Sequence, residues 1–214
     1  MDVALYKFTM NAAIIIAVFY SIILHEISHA LAAYWLGDDS AQRQDRLSLN
    51  PLKHIDPFGT VILPLLLYFT AGFLFGYAKP VPVNPHNFRN FKRDSGLTAI
   101  AGPLANVLIA ILFALFYHLS GANLLVQTIC VYVIFLNLLL AFFNLIPVPP
   151  LDGSKVLGMF LNDEAYYKWT LQERKGMLIL IVVLIGSNIL GLNIIGKLLM
   201  PAVRFFMNLL GVPF

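Results

Sequence analysis

His25, Glu26 and His29 sit within one helical turn of each other in "SIILHEISHALAAYWLG", Ser21 to Gly37, a run that otherwise reads as lipid-facing helix. Ionisable groups in hydrocarbon are costly unless they are paired or bound to metal. Histidines four positions apart share one helical face, so both rings can offer a nitrogen to a single ion. Glu26 then lies beside that ion without ligating it. This is the His-Glu-x-x-His zinc arrangement, in which the carboxylate takes a proton from the attacking water. Histidines packed between helices are the alternative for the rings, but that alternative leaves the intervening carboxylate unexplained.

A catalytic zinc usually takes three protein ligands and keeps one position open. Acidic residues beyond Glu26 are sparse, and Asp152 in "NLIPVPPLDGSKV" stands out, because Pro147, Pro149 and Pro150 hold it on a stiff, non-helical arm after an apolar run. Spacing alone serves equally well for Asp152 as the N-cap of a helix starting near Ser154. His54 and His86 read as ordinary loop histidines rather than spare ligands, and His118 lies towards the opposite face. Cys130 is the single cysteine, so no disulfide framework or cysteine zinc knuckle forms within one chain.

These groups must be positioned by membrane helices. The 214 residues are 59% hydrophobic and only 12% charged, with a mean hydropathy of +0.80, far from the soluble balance. The formal charge of +3 is small and dispersed among loops, which argues against nucleic acid as a partner. A bilayer core needs about 20 apolar residues per helix. Phe8 to Leu36, Phe58 to Tyr77, Gly96 to Leu119 and Leu124 to Ile146 meet or approach that length. Gly176 to Leu210 holds one span plus a further helix, with Gly186, Gly191, Gly196 and Pro201 as breaks. The first run lacks a small-residue cleavage site before His25 and is read as a retained helix.

Lys and Arg collect in Asp38 to Pro57, in Ala78 to Ser95 and after Ile146, whereas "SGAN", Ser120 to Asn123, has none. The basic loops are therefore expected on the cytoplasmic side, with the His25 and Asp152 regions in the cytoplasmic part of the bilayer. Two basic loops flank Phe58 to Tyr77, so one full crossing there conflicts with the charge rule. Its glycines and Pro64 favour a re-entrant excursion over an ordinary span, and "GYAKPVPVNP" after it favours extended chain. The expected fold is an all-α polytopic helical bundle with about five to six membrane segments, one of them re-entrant, and a short extended, β-like loop.

"HEISH" in an apolar helix, "AGPLAN" (Ala101 to Asn106) opening a later helix and "NLIPVPPLDG" (Asn144 to Gly153) closing the next together resemble the site-2 proteases, intramembrane zinc metalloproteases. "LNPLKHIDPFGT" and "GYAKPVPVNP" are similar to the compact prokaryotic branch without a PDZ domain. The resemblance implies one transmembrane protease domain over residues 1–214, with a core at 8–155 and C-terminal helices at 176–210. It implies one Zn²⁺ per chain held by His25, His29 and Asp152, with Glu26 as general base. Asn144 matches a family asparagine thought to contact substrate or the developing oxyanion; an interhelical hydrogen bond, with Asn137 on the same face, is the alternative.

The implied activity is hydrolysis of a peptide bond within or near the transmembrane helix of a membrane protein, such as a single-span substrate, in a prokaryotic cell membrane. An inactive zinc-stabilised scaffold is a second reading, and an ion or proton transporter ranks last because no internal repeat is visible. The substrate's identity and the oligomeric state are not encoded in these patterns.

Overall fold

The first apolar run forms one unbroken helix, α1 (Val3–Trp35), in a computed structural model that describes residues 3–62, 65, 66, 69 and 79–213. Its 33 residues correspond to a length of about 50 Å at the α-helical rise. The helix stops in a Schellman closure: Gly37 takes φ 108°, its N–H donates to Tyr34 O, and Asp38 N–H donates to Ala33 O. A short helix α2 (Ser40–Arg43) follows, then a 3₁₀ turn at Pro51–Lys53 and a π-type turn at Pro57–Ile62. Most of Phe58 to Tyr77 lies outside the described residues, and with it the re-entrant expectation.

Helices α3 (Phe91–Leu119) and α4 (Leu124–Asn144) form an antiparallel pair across the "SGAN" turn. Asn90 caps α3 by accepting from Arg93 N–H at 3.1 Å, and Asn123 caps α4 by accepting from Val126 N–H at 3.2 Å. α3 packs against both α1 and α4 and is the centre of the bundle. Its inward stripe is small: Ala99, Gly102, Asn106, Ala110 and Ala114 are buried, while Leu104, Leu108, Leu112 and Leu115 point outward. Small residues inside and large apolar residues outside suit helices that pack closely in lipid. α1, α3 and α4 are each long and apolar enough to cross a membrane.

After α4, the proline arm leads into α5 (Asp152–Gly158), α6 (Asp163–Thr170), α7 (Glu173–Ile189) and α8 (Ile194–Leu209). The region Gly176 to Leu210 divides at Gly191–Asn193, where φ is positive, whereas Gly186, Gly196 and Pro201 stay within helices. Ser187 Oγ accepts from Ile194 N–H at 2.7 Å and satisfies the start of α8. Leu199, Val203 and Met207 of α8 repeat every four residues and are buried, Val203 and Met207 in a core that includes Ala110, Ala114, Cys130, Ile134 and Leu138.

The Pro-Val-Pro-Val stretch, expected as extended chain, is neither helix nor turn and belongs to no β-strand among the described residues. It is a strap held from α1 and the loop after it. Asp38 accepts from Asn84 N–H at 2.7 Å, Asn87 Nδ2 at 2.8 Å, Ser40 Oγ at 2.5 Å and Ser40 N–H at 3.1 Å. Arg46 donates to Lys79 O at 2.7 Å, and Lys79 N–H donates to His54 O at 2.9 Å. Val81 completes the attachment by burying against Ala30 of α1 and Ala41 of α2. His54 is thus a buried structural residue, its Nε2 bonded to Ser48 O at 2.7 Å.

Burial pushes the Asp38 carboxyl upward, and the hydrogen bonds from Ser40, Asn84 and Asn87 more than reverse this, leaving its pKa below the usual value. A group whose pKa is lower folded than unfolded stabilises fully above its unfolded value, and that contribution fades as pH falls through the folded value. Asp38→Ala is expected to cost about 2–4 kcal/mol, because it strands the Asn84 N–H and the Asn87 amide. In detergent unfolding curves, the gap between wild type and Asp38→Asn should narrow as pH drops below about 4. A pH-independent gap would contradict this account.

Candidate metal centre

The helical spacing of His25 and His29 does what it predicts: the rings project from adjacent turns of α1, their centroids 4.6 Å apart and their planes 88° to one another. The perpendicular arrangement brings the two Nε2 atoms to 3.1 Å. The other ring nitrogens are occupied. His29 Nδ1 donates to Thr98 O at 2.7 Å, and His25 Nδ1 donates to Asn106 Oδ1 at 2.5 Å. With the protons on Nδ1, both Nε2 atoms present lone pairs.

The proline arm delivers the third donor. Turns close from Val148 N–H to Ile146 O at 2.8 Å and from Leu151 N–H to Val148 O at 2.9 Å. Gly153 lets the chain double back, since a Cβ there would overlap the Leu145 carbonyl. Asp152 is the first residue of α5, whose cap position, Leu151, makes no side-chain bond. The N-cap alternative for Asp152 therefore falls away. Its Oδ2 lies 3.3 Å from His25 Nε2 and 3.2 Å from His29 Nε2, is buried, and accepts no hydrogen bond from a described donor.

Three lone-pair atoms from two segments, more than a hundred residues apart in sequence, thus converge on one point. They repel each other unless a cation lies between them. A tetrahedral zinc with ligand distances near 2.0–2.1 Å separates its donors by about 3.3 Å, so the triangle has the right size. Nitrogen, nitrogen and carboxylate oxygen are also donors that zinc accepts. Room at the rings depends on Gly102 of α3, where a Cβ would sit 2.6 Å from His25 Nε2 and would also overlap His29 Nε2.

Glu26 is not one of the three converging donors. Its Oε2 accepts from Val81 N–H at 3.0 Å, which ties the strap to α1 one position from a ring of the triad. Asn144 is not brought to the triad by any described bond; its Nδ2 donates to Leu140 O at 3.0 Å, within its own helix. The interhelical hydrogen bonding suggested for this face falls to Asn137, which is buried and accepts from Asn106 Nδ2 at 2.9 Å. His86 stays in its loop, its ring 6.0 Å from that of Phe91, and His118 bonds Leu210 O at 2.8 Å. Thr98 carried no signal in the sequence, Gly102 and Asn106 entered only as members of "AGPLAN", and Val81 only as part of the Pro-Val-Pro-Val stretch. Two asparagines inside apolar helices were the available signal, since buried amides need partners.

Comparison with known proteins follows the same direction. The family model for "Peptidase family M50" matches residues 117–186, which cover all of α4, the proline arm and Asp152. A Bacillus subtilis protein named YwhC is 35% identical over 86% of this chain and 87% of its own length. Rip2 of Mycolicibacterium smegmatis is 30% identical over 77% of this chain and 63% of its own, and MJ0611 of Methanocaldococcus jannaschii is 34% identical over 44% and 50%. All three carry the designation "Putative zinc metalloprotease". No solved structure gives a significant match.

Gly102→Ala tests the packing of the centre without removing a donor atom. The added methyl should displace both rings and weaken zinc binding by roughly 10–100-fold, read by chelator competition. Wild-type affinity in that variant would show that the rings do not depend on this gap.

Proposed function

Because the chain belongs to peptidase family M50, and is thus a membrane zinc metalloprotease, we propose that it cuts a peptide bond within or near the transmembrane helix of a membrane protein. In this reading His25, His29 and Asp152 hold the zinc and Glu26 is the general base. The observation that carries it is the convergence of two imidazole lone pairs and a buried carboxylate on the flank of a membrane-length helix. His29 precedes the end of α1 by six residues, about 9 Å along the axis, and in this reading the chemistry takes place within the bilayer.

His25, His29 and Asp152 would hold the zinc, which would serve there as a Lewis acid towards the scissile carbonyl. Glu26, adjacent to the triangle, takes a proton from the attacking water and returns it to the departing amine, so that the peptide bond breaks as the new carboxylate forms. Nδ1 bonds to Thr98 and Asn106 keep both rings aimed throughout.

The substrate must unwind locally, because a helical peptide bond is shielded by its own hydrogen bonds. In the strap, Pro80 and Pro82 lack N–H groups and Val81 N–H is bonded to Glu26, so a substrate laid alongside would meet Val83 N–H and the strap carbonyls. Asn144 ends α4 beside the arm; one amide hydrogen goes to Leu140 O, and in this reading the rest of its amide contacts substrate or the developing oxyanion. The whole chain acts as one protease domain. The basic loops support a site facing the cytoplasm of a prokaryotic cell membrane.

Purified protein reconstituted with a panel of single-span substrates tests this reading. Glu26→Gln should retain zinc and lose cleavage by about 10²–10⁴-fold, whereas Asp152→Ala should lose zinc as well. Unchanged cleavage in Glu26→Gln removes the assignment of the base, and zinc retained at full affinity in Asp152→Ala removes the ligand set.

A further inference from the structure

The geometry points to Asn137 as a positioning residue for the zinc centre, acting on His25 through Asn106 from a helix that supplies no zinc ligand. This rests on the reading of His25, His29 and Asp152 as the ligands. The two histidines reach the same ring state by different routes. His29 Nδ1 is held directly by a backbone carbonyl, Thr98 O, which can only accept. His25 faces a side-chain amide, Asn106, which can present either an acceptor or a donor, so something else must decide which end it shows.

The decision is made at Asn137. Its Nδ2 lies 2.9 Å from Val133 O, a carbonyl, and 3.0 Å from Ser21 Oγ, whose own hydrogen goes to Ala17 O at 2.8 Å. Both neighbours can therefore only accept, and both must be met by the amide nitrogen. Asn137 Oδ1 consequently faces Asn106, which answers with Nδ2 at 2.9 Å and turns its own Oδ1 to His25 Nδ1. A carbonyl on α4 and a hydroxyl on α1 thus fix, through two amides, which nitrogen of His25 carries the proton and which one faces zinc. Asn106 and Asn137 are fully enclosed, with exposures of 0% and 1%, so water does not compete for these positions. Reversing either amide would set donor against donor or acceptor against carbonyl.

The test uses zinc-loaded protein in detergent, with zinc affinity read by chelator competition and the ring Nδ1–H signals of labelled histidine read by NMR. Asn137→Leu should weaken zinc by on the order of tenfold. It should also shift the His25 Nδ1–H signal and speed its exchange, while the His29 signal stays in place. Asn137→Asp keeps the shape and an acceptor towards Asn106, and as the neutral acid donates to Val133 O. It should restore most of the affinity and the His25 signal. If Asn137→Leu does not fold, Asn137→Ala reads the same two quantities.

Wild-type affinity and an unmoved His25 signal in Asn137→Leu would overturn the proposal. So would an Asn137→Asp variant no better than Asn137→Leu, since packing and not the acceptor would then matter. His25→Ala separates this from the ligand reading: if it too binds zinc like wild type, the ligand set is wrong; if it loses zinc while Asn137→Leu keeps it, only the relay is.

Discussion

Two imidazole lone pairs and one carboxylate oxygen aimed at a single point inside an apolar bundle form the constraint on which the rest of this protein depends. Each group alone is expensive to bury, and together they repel unless a cation joins them. A zinc ion held by the three would turn that repulsion into coordination. The features around the triangle then have a shared purpose. Pro147, Pro149, Pro150 and Gly153 bring Asp152 back to α1, Gly102 leaves space for the rings, and Thr98 and Asn106 hold the protons on the far nitrogens.

The bundle that carries this centre inverts the soluble pattern. On α3 the alanines, Gly102 and Asn106 face inward while leucines face outward. Close approach of backbones is what lets a short side chain such as Asn106 reach His25 on one neighbouring helix and Asn137 on the other. The strap is a second, separate assembly. Asp38 and Arg46, just beyond the end of α1, fasten Lys79 to Asn87, and Val81 carries that attachment to Glu26. The residues proposed as zinc ligands and the one proposed as base are thus supported from different directions.

Much of the centre was readable from local rules. A four-residue spacing on a helix dictates a shared face, which appears as expected; the prolines keep the chain out of helix up to Leu151, but Asp152, expected on that non-helical arm, itself begins α5. The helices α1, α3 and α4 follow from apolar length and from the caps at Asn90 and Asn123. The break within the last apolar region was harder, because four residues could have made it. Only Gly191 lies at a point where the chain actually turns, with Ser187 available to satisfy the next helix. Asn144 shows the same limit: its motif is plain in the sequence, yet its amide bonds its own helix.

The sequence by itself determined which atoms could bind a metal and act as a base, and that His25, Glu26 and His29 would share a membrane-length helix, because ligand type and helical period are local properties. The meeting of Asp152 with the two histidines, the engagement of Glu26 by Val81, and the line from Asn137 through Asn106 to His25 were decided only by tertiary structure. A hydrogen bond has a direction set by both partners. Partners 31 to 116 residues apart are chosen by how helices pack, which no local pattern encodes.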